Sequence, residues 1–188
     1  MGMICRRTVM LFAFAWLAGF TMVAPQKAQA GSAYEIDAAV DATLREFTWQ
    51  VRGSRELIAR SAGVLVFPRV YKAGFGVGGE YGEGALIRRG RTVDYYNTIS
   101  ASFGFQLGAQ ARSVIIIFTT PDALDAFERV DGWKVGVDGS VALLTVGAGA
   151  SVDTTRIIDP VVGFIFDNKG LMYNLTLEGS KISRIHPY

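Results

Sequence analysis

The sequence predicts an α+β fold, in which an N-terminal amphipathic helix, in one or two pieces, packs on a curved and mostly antiparallel sheet or partly closed barrel. Three patterns predict it. Residues 32–62 carry apolar side chains at helical spacing, residues from 63 onward alternate with a period of two, and one short helical pattern interrupts the strands. The strand patterns number about eight. No proline-rich or serine-rich linker divides residues 31–188, so we expect a single domain.

The first 30 residues are predicted to be a cleaved signal peptide. Arg6 and Arg7 form a positive n-region, residues 9–23 are almost wholly apolar, and residues 28–30 read Ala-Gln-Ala, a small-x-small cleavage site before Gly31. The apolar run is short for a membrane span, so cleavage is preferred to anchoring. The cysteine at position 5 precedes the apolar run, which argues against a lipoprotein. We expect a periplasmic or secreted protein, and leave Sec or twin-arginine export open.

Cleavage would change the charge of the protein. The whole chain has 19 basic and 17 acidic residues, a formal charge of +2. Three of the basic residues and none of the acids lie in residues 1–30, so 16 basic and 17 acidic residues remain, a charge of −1. Without a global positive field we expect no nucleic-acid partner, and any anion site must be a local patch. The remaining chain has no cysteine, which excludes disulfides and thiol chemistry.

The helical region begins the predicted domain. Residues such as Ile36, Val40 and Phe47 fall on one arc at 100° per residue, and the Gly53-Ser54 pair is expected to divide the helix into two pieces. Trp49 falls on the opposite, arginine-bearing face. That face is either the solvated side of a packed helix or a contact for a membrane or a partner protein, and the sequence leaves both interpretations open.

A glycine-rich strand follows. Gly74, Gly76 and Gly79 fit the spacing G-x-G-x-x-G, but no helical pattern begins after them, which argues against a dinucleotide site. Gly74, Gly76 and Gly78 instead alternate, as do Gly104 and Gly108 in a later strand. These five close-packing glycines predict strand faces without side chains, against which a helix or another group can approach closely.

The other elements follow from alternation and turn signals. Residues 120–122, Thr-Pro-Asp, start the inserted helix with a cap residue and proline at its first position. Residues 167–170, Asp-Asn-Lys-Gly, are expected to form a hairpin turn. The predicted strands comprise residues 64–67, 73–81, 85–88, 95–111, 114–118, 135–152, 161–166, 171–177 and 181–185.

Several of these blocks together resemble the SYLF domain, also called the Ysc84-like actin-binding domain. The resemblance is carried by residues 63–68 (GVLVFP), 72–79 (KAGFGVGG), 102–110 (SFGFQLGAQ), 132–138 (GWKVGVD), 169–172 (KGLM) and 177–181. It extends over residues 35–185, and exported bacterial members are the most similar. It implies binding rather than catalysis: eukaryotic members bind phosphoinositides, and some bind and bundle actin. For an exported protein, the resemblance implies the fold and anionic-lipid binding more directly than actin binding.

The residues themselves favour a non-enzymatic protein. His186 is the only histidine and lies near the C-terminal end, so it is a poor general base, and neither a zinc site nor a cofactor is expected. Glu80 and Glu83 are three apart in a strand and therefore lie on opposite faces, which does not suit an acid–base pair.

Local basic residues are the candidate site for anionic lipid headgroups. Arg88, Arg89 and Arg91 crowd one turn, and Arg69 and Lys72 flank Tyr71 just before the glycine strand. Guanidinium groups bind phosphate in a bidentate manner, although the same turn could be a solvated hairpin tip. Trp49 and Tyr71 are the candidate aromatic contacts with a membrane or a partner.

Three functions therefore stand as hypotheses. The first is a lipid-binding protein of the cell envelope that recognises anionic, phosphoinositide-like headgroups. The second is a structural or protein-interaction module, with actin binding known in eukaryotic relatives. The third is a carrier of a small apolar ligand in a groove beside Gly74, Gly76, Gly104 and Gly108.

Overall fold

The computed structural model describes residues 32–145, 157–170, 177 and 179–188; within them it describes the backbone but not the side chains of 75–77, 102–108, 145 and 167–170. The predicted signal peptide lies outside these residues. The elements in chain order are helices α1 (Ala33–Gln50) and α2 (Ser54–Arg60), strands β1 (Gly63–Arg88) and β2 (Arg91–Phe118), helix α3 (Pro121–Arg129), and strands β3 (Trp133–Lys134), β4 (Ala142–Thr145), β5 (Val161–Gly170) and β6 (Lys181–Ile185).

The N-terminal helix is divided as the sequence predicts. A capping box starts α1: the Ser32 hydroxyl accepts the Glu35 N–H, and the Glu35 carboxylate accepts the Ser32 N–H at 3.0 Å. After α1, Gly53 adopts φ 82°, a left-handed conformation that costs glycine little, and α2 begins at the next residue. Buried residues of α1 at helical spacing, among them Val40 and Phe47, face the sheet.

One curled sheet forms a half-barrel against these helices. Strand β2 pairs with β1 along one edge. Along its other edge, residues Tyr95–Ile99 pair with β6 and residues Gln110–Phe118 pair with β5. Strand β3 extends the sheet beyond β6, and β4 extends it beyond β5. The β4–β5 pair is parallel and the other strand pairs described are antiparallel.

The predicted α+β class is confirmed, but several predicted strands are joined. Three of them, residues 64–67, 73–81 and 85–88, lie within β1. The register between β1 and β2 shifts between Phe67 and Val70, next to Pro68, and the register between β2 and β5 shifts between Ala111 and Ser113. A proline has no N–H to donate, and a bulge accommodates it by bending the strand rather than ending it. If β1 and β2 are each divided at these two shifts, the six strands give eight segments. The β1–β2 register shifts again between Phe75 and Val77 and between Leu86 and Ile87.

Two local predictions are wrong. The predicted turn at residues 167–170 is part of β5, where Lys169 and Gly170 pair with Ala111 and Gln110. The long partner strand supplies hydrogen bonds that outweigh the local turn preference. The strand predicted over 135–152 begins only at Ala142, because the preceding residues form a turn. The predicted strand residues 146–152 and 171–176 lie outside the described residues.

The two faces of the sheet bury separate cores. On one face, Phe47 of α1 packs against Phe164 and Phe166 of β5, with ring centroids 5.0 and 5.5 Å apart. On the other face, the ring centroid of Phe127 of α3 lies 4.9 Å from that of Phe118 and 5.5 Å from that of Trp133. Helices α1 and α3 therefore cover opposite faces of the sheet.

Strand β1 also contacts itself. A Cβ atom added at Gly84 would lie 1.9 Å from the carbonyl oxygen of Val66, and one at Gly82 would lie 2.9 Å from that of Arg69. The later part of β1 therefore lies directly against the earlier part, where only glycine fits. Of the predicted close-packing glycines, Gly74 pairs with Gly108 and Gly78 with Ser102, while the surroundings of Gly76, Gly104 and Gly108 lie outside the described side chains.

Candidate functional site

Four arginines line one groove beside the turn between β1 and β2. Arg88, Arg89 and Arg91 belong to the β1–β2 turn, as predicted from the sequence, and Arg60 joins them from the last residue of α2. They line a groove of about 890 Å³ together with Thr119 and Pro121, at the start of α3. We call this site the arginine groove. Arg60 could not be assigned to this site from the sequence, because its position depends on where α2 ends relative to the turn.

The turn is a tight two-residue connection. Arg88 and Arg91 are paired across it, and Arg89 and Gly90 adopt φ values of 52° and 75°. Two positive φ values are typical of a type I′ hairpin turn, whose first position favours Asn, Asp or Gly. Arginine carries a Cβ and is strained there by about 1–2 kcal/mol. Arg89 is the one described non-glycine residue with positive φ, and its side chain is exposed.

The arginines differ in their ion pairs. Arg60 pairs with Glu56 at 3.0 Å, one helical turn away, and both side chains are more than half exposed. Arg88 pairs with Glu128 of α3 at 3.4 Å between Nη1 and Oε2. Among the residues described, neither Arg89 nor Arg91 has a carboxylate within 4 Å. The groove thus keeps two charges that no nearby carboxylate neutralises.

This arrangement can bind phosphate. A guanidinium donates two parallel N–H groups to two phosphate oxygens, and it stays charged at any physiological pH. The start of α3 adds the partial positive charge of a helix N-terminus, which Asp122 in its first turn opposes. Thr119 contributes little, since its hydroxyl already donates to the carbonyl oxygen of Asp159. The arginines therefore supply nearly all the positive potential of the groove.

The other predicted basic residues lie elsewhere. Arg69 and Tyr71 line a separate, smaller pocket of about 220 Å³ with Tyr81 and Glu83, next to the start of α1. Lys72 is only 4% exposed and pairs through its backbone with Gln110. The five basic residues proposed from the sequence thus divide into three in the groove, one in the small pocket and one that is buried.

Trp49 lies on the polar face of α1 and is 83% exposed. Tyr71 is about half exposed. Neither Trp49 nor Tyr71 lines the arginine groove, so both lie on surfaces outside this groove. An indole this exposed contributes little to the core and is available for contact with another molecule.

A buried ion pair was also missed. Arg112 of β2 donates to Glu80 of β1 at 2.7 Å, and both side chains are almost completely inaccessible. The period of two assigns Glu80 to one face of β1 and Arg112 to one face of β2. It does not predict that the strands bend enough to bring these two side chains into contact. The pair holds together distant parts of the long hairpin.

A second polar groove, of about 390 Å³, lies between the C-terminal end of α3 and strand β6. Arg184 of β6 is held there by Asp94 at 2.7 Å and donates to the Tyr96 hydroxyl at 3.3 Å. Burial raises the pKa of Tyr96 above its usual value, although the Arg184 hydrogen bond lowers it. The hydrogen bond to Tyr96 in turn raises the pKa of Arg184. His186 and Glu128 also line this groove, and Glu128 is linked to the arginine groove through its ion pair with Arg88.

The described residues contain no cluster of three His, Cys, Asp or Glu side chains placed to hold a metal ion. None of their helices is long and apolar enough to cross a membrane.

A protein-family model matches part of the chain. The family model described as "Ysc84: Las17-binding protein actin regulator" matches residues 99–186, from within β2 to just beyond β6. No curated protein matches the sequence significantly. The matched region contains α3 and Glu128, whereas the four arginines of the groove precede it.

Proposed function

Because this chain belongs to the Ysc84 family, we propose that it is a binding protein without enzymatic activity and that its arginine groove binds the phosphate groups of anionic phospholipid at a membrane surface. The observation that carries the proposal is the meeting of Arg60, Arg88, Arg89 and Arg91 around one open groove. No cofactor takes part. The predicted signal peptide supports a membrane of the cell envelope as the site of action.

The energetics fit reversible peripheral binding. A basic residue near an anionic membrane surface contributes about 1 kcal/mol, so four arginines give weak but measurable attachment. Salt weakens such binding, because the Debye length falls from about 10 Å at 0.1 M to about 3 Å at 1 M. The strained position of Arg89 adds support, since this arginine lowers the stability of the turn and places its charge at the rim.

Sedimentation with lipid vesicles tests the proposal. The processed protein, without residues 1–30, is mixed with vesicles of phosphatidylcholine alone or with added anionic phospholipid, at about 0.05 and 0.5 M salt. We expect pelleting only with anionic vesicles and mainly at low salt. Pelleting that is absent, or equal on both vesicles, contradicts the proposal.

A double variant then locates the site. Arg89→Ala with Arg91→Ala should weaken vesicle binding about 10- to 30-fold, which corresponds to about 1 kcal/mol for each charge. The matched control is Arg45→Ala with Arg52→Ala, which removes the same charge from exposed positions outside the groove. Equal losses in both double variants would show that only net charge matters and that the groove is not the site.

A protein-interaction function is the second candidate, favoured by the family description and by the exposure of Trp49. Actin filaments are the partner to test, because the family is described as an actin regulator. Cosedimentation with filaments that Trp49→Ala reduces, and that Arg89→Ala leaves unchanged, would support this candidate. The carrier hypothesis stays a prediction, since the surroundings of Gly76, Gly104 and Gly108 lie outside the described side chains.

A further inference from the structure

Glu128 occupies a special position beside the arginine groove. Its carboxylate is the partner of Arg88, which lines the arginine groove, and Glu128 itself lines the second polar groove. Any anion that enters the arginine groove and uses Arg88 must therefore compete with a carboxylate that is already part of the protein.

The geometry of this ion pair allows exchange. The 3.4 Å separation of Nη1 and Oε2 exceeds the roughly 2.7–2.9 Å of a strong charge-assisted hydrogen bond. The Arg88 side chain is 42% exposed and that of Glu128 is 23% exposed, so the pair is neither fully solvated nor locked in the core. The Arg60–Glu56 pair is more exposed on both sides, so it opposes a ligand less.

Release of Arg88 does not leave Glu128 isolated. Glu128 lines the second groove with Arg184, and its negative charge is among the causes that raise the pKa of that arginine. The carboxylate therefore keeps a positive neighbour after Arg88 moves to a ligand. The exchange has a modest cost, which depends on how strongly the incoming anion attracts Arg88.

We propose that Glu128 acts as an internal competitor for Arg88 and thereby makes the arginine groove select dianionic phosphomonoester headgroups over monoanionic phosphodiester headgroups. This inference rests on the proposed function of the groove. A phosphodiester carries one negative charge, as a carboxylate does, so it gains little by displacing Glu128. A phosphomonoester carries a charge of about −1.5 to −2 near pH 7 and attracts Arg88 more strongly.

The test compares two lipids. Vesicles of phosphatidylcholine contain either phosphatidic acid, a phosphomonoester, or phosphatidylglycerol, a phosphodiester, in amounts that give equal surface potential. We expect the processed wild-type protein to bind the phosphatidic acid vesicles about three- to tenfold more tightly, the effect of one recruited arginine near the surface. Glu128→Gln should raise affinity for phosphatidylglycerol about two- to fivefold, so that the preference between the lipids falls.

Three further variants isolate the mechanism. Asp125→Asn removes the same charge from an exposed position on α3 and should leave the preference unchanged. Arg88→Ala should abolish the preference without any change at position 128. In the Arg88→Ala background, Glu128→Gln should give no further gain beyond that of Asp125→Asn. Thermal unfolding checks that each variant is folded.

Each outcome bears on a defined claim. If the wild type binds both vesicles equally, or if Asp125→Asn changes the preference as much as Glu128→Gln, the inference is overturned while the arginine groove stands. If no variant binds either vesicle, the lipid-binding function is contradicted and the inference is lost with it.

Discussion

The protein contains two arginine–glutamate pairs in contrasting surroundings. Arg112 and Glu80 are 2.7 Å apart and almost inaccessible to water, whereas Arg88 and Glu128, beside the arginine groove, are 3.4 Å apart and partly solvated. The residue types are the same and the surroundings differ. The comparison teaches that burial turns such a pair into a structural link, while partial exposure leaves it available for exchange with a ligand.

The physical reason is desolvation. A buried charge that loses its partner has neither water nor a counter-charge, so breaking a buried pair costs several kcal/mol even where forming it gains little. At the surface, water and salt replace the lost partner, and the pair contributes about 0–1 kcal/mol. The Arg88–Glu128 pair can therefore be broken at a much lower cost than the Arg112–Glu80 pair.

The largest expected effect on stability comes from breaking the buried Arg112–Glu80 pair. Glu80→Ala leaves the Arg112 guanidinium buried without this carboxylate and should lower the free energy of unfolding by about 3–5 kcal/mol. Denaturant unfolding measures the loss. Glu128→Ala is the control and should cost no more than about 1 kcal/mol. Similar losses in the two variants would remove the distinction between the pairs.

The next effect concerns the close contact between the earlier and later parts of β1. Gly84→Ala introduces a Cβ 1.9 Å from the Val66 carbonyl oxygen, so the backbone must move, and we expect a loss of about 1–3 kcal/mol. Gly79→Ala is a matched control in the same strand, where the nearest atom lies 3.9 Å from the added Cβ. It should change stability by less than about 0.5 kcal/mol. Thermal unfolding of both variants tests whether the two parts of β1 lie too close together to admit a Cβ atom at position 84.

The smallest effect is a loss of stability at alkaline pH. Burial raises the pKa of Tyr96 above 10.0 in the folded state, so its neutral form is favoured by folding. Stability is therefore complete below pH 10 and falls as the pH rises above that value, because the unfolded chain then releases the proton more readily. Tyr96→Phe should reduce this fall. Unfolding midpoints at pH 8 and pH 11 measure it, and an identical fall in both proteins would contradict the assignment.

Much of the fold could be predicted because local chemistry determines it. The cap at Ser32, the glycine at position 53 and the Thr120-Pro121 start of α3 act within a few residues, and the structure has helices there. The predicted turn at 167–170 was wrong for the opposite reason. Pairing with β2, which is distant in sequence, continues β5 through these residues. Local turn signals are reliable only where no neighbouring strand offers hydrogen bonds to the same residues.

The candidate site could be predicted in part for a similar reason. Arg88, Arg89 and Arg91 are close in sequence, so their proximity was visible without a structure. Arg60 and Glu128 reach the same place from α2 and α3, which only the packing of the helices on the sheet determines. The burial of Lys72 could not be predicted for the same reason, because it depends on how the sheet curls and which strand face is covered.

The long β1–β2 hairpin has a consequence for folding kinetics. Its two strands pair from Arg88–Arg91 at the turn to Gly63–Phe118 at the far end, and no other element lies between them. Pairing can therefore begin at the turn and extend along the hairpin from there. The first pair to form sets two arginines opposite each other, and like charges across a strand pair repel. Phosphate-bearing anions that neutralise this turn are therefore expected to speed refolding, which makes the proposed ligand a promoter of the step that builds its own binding site.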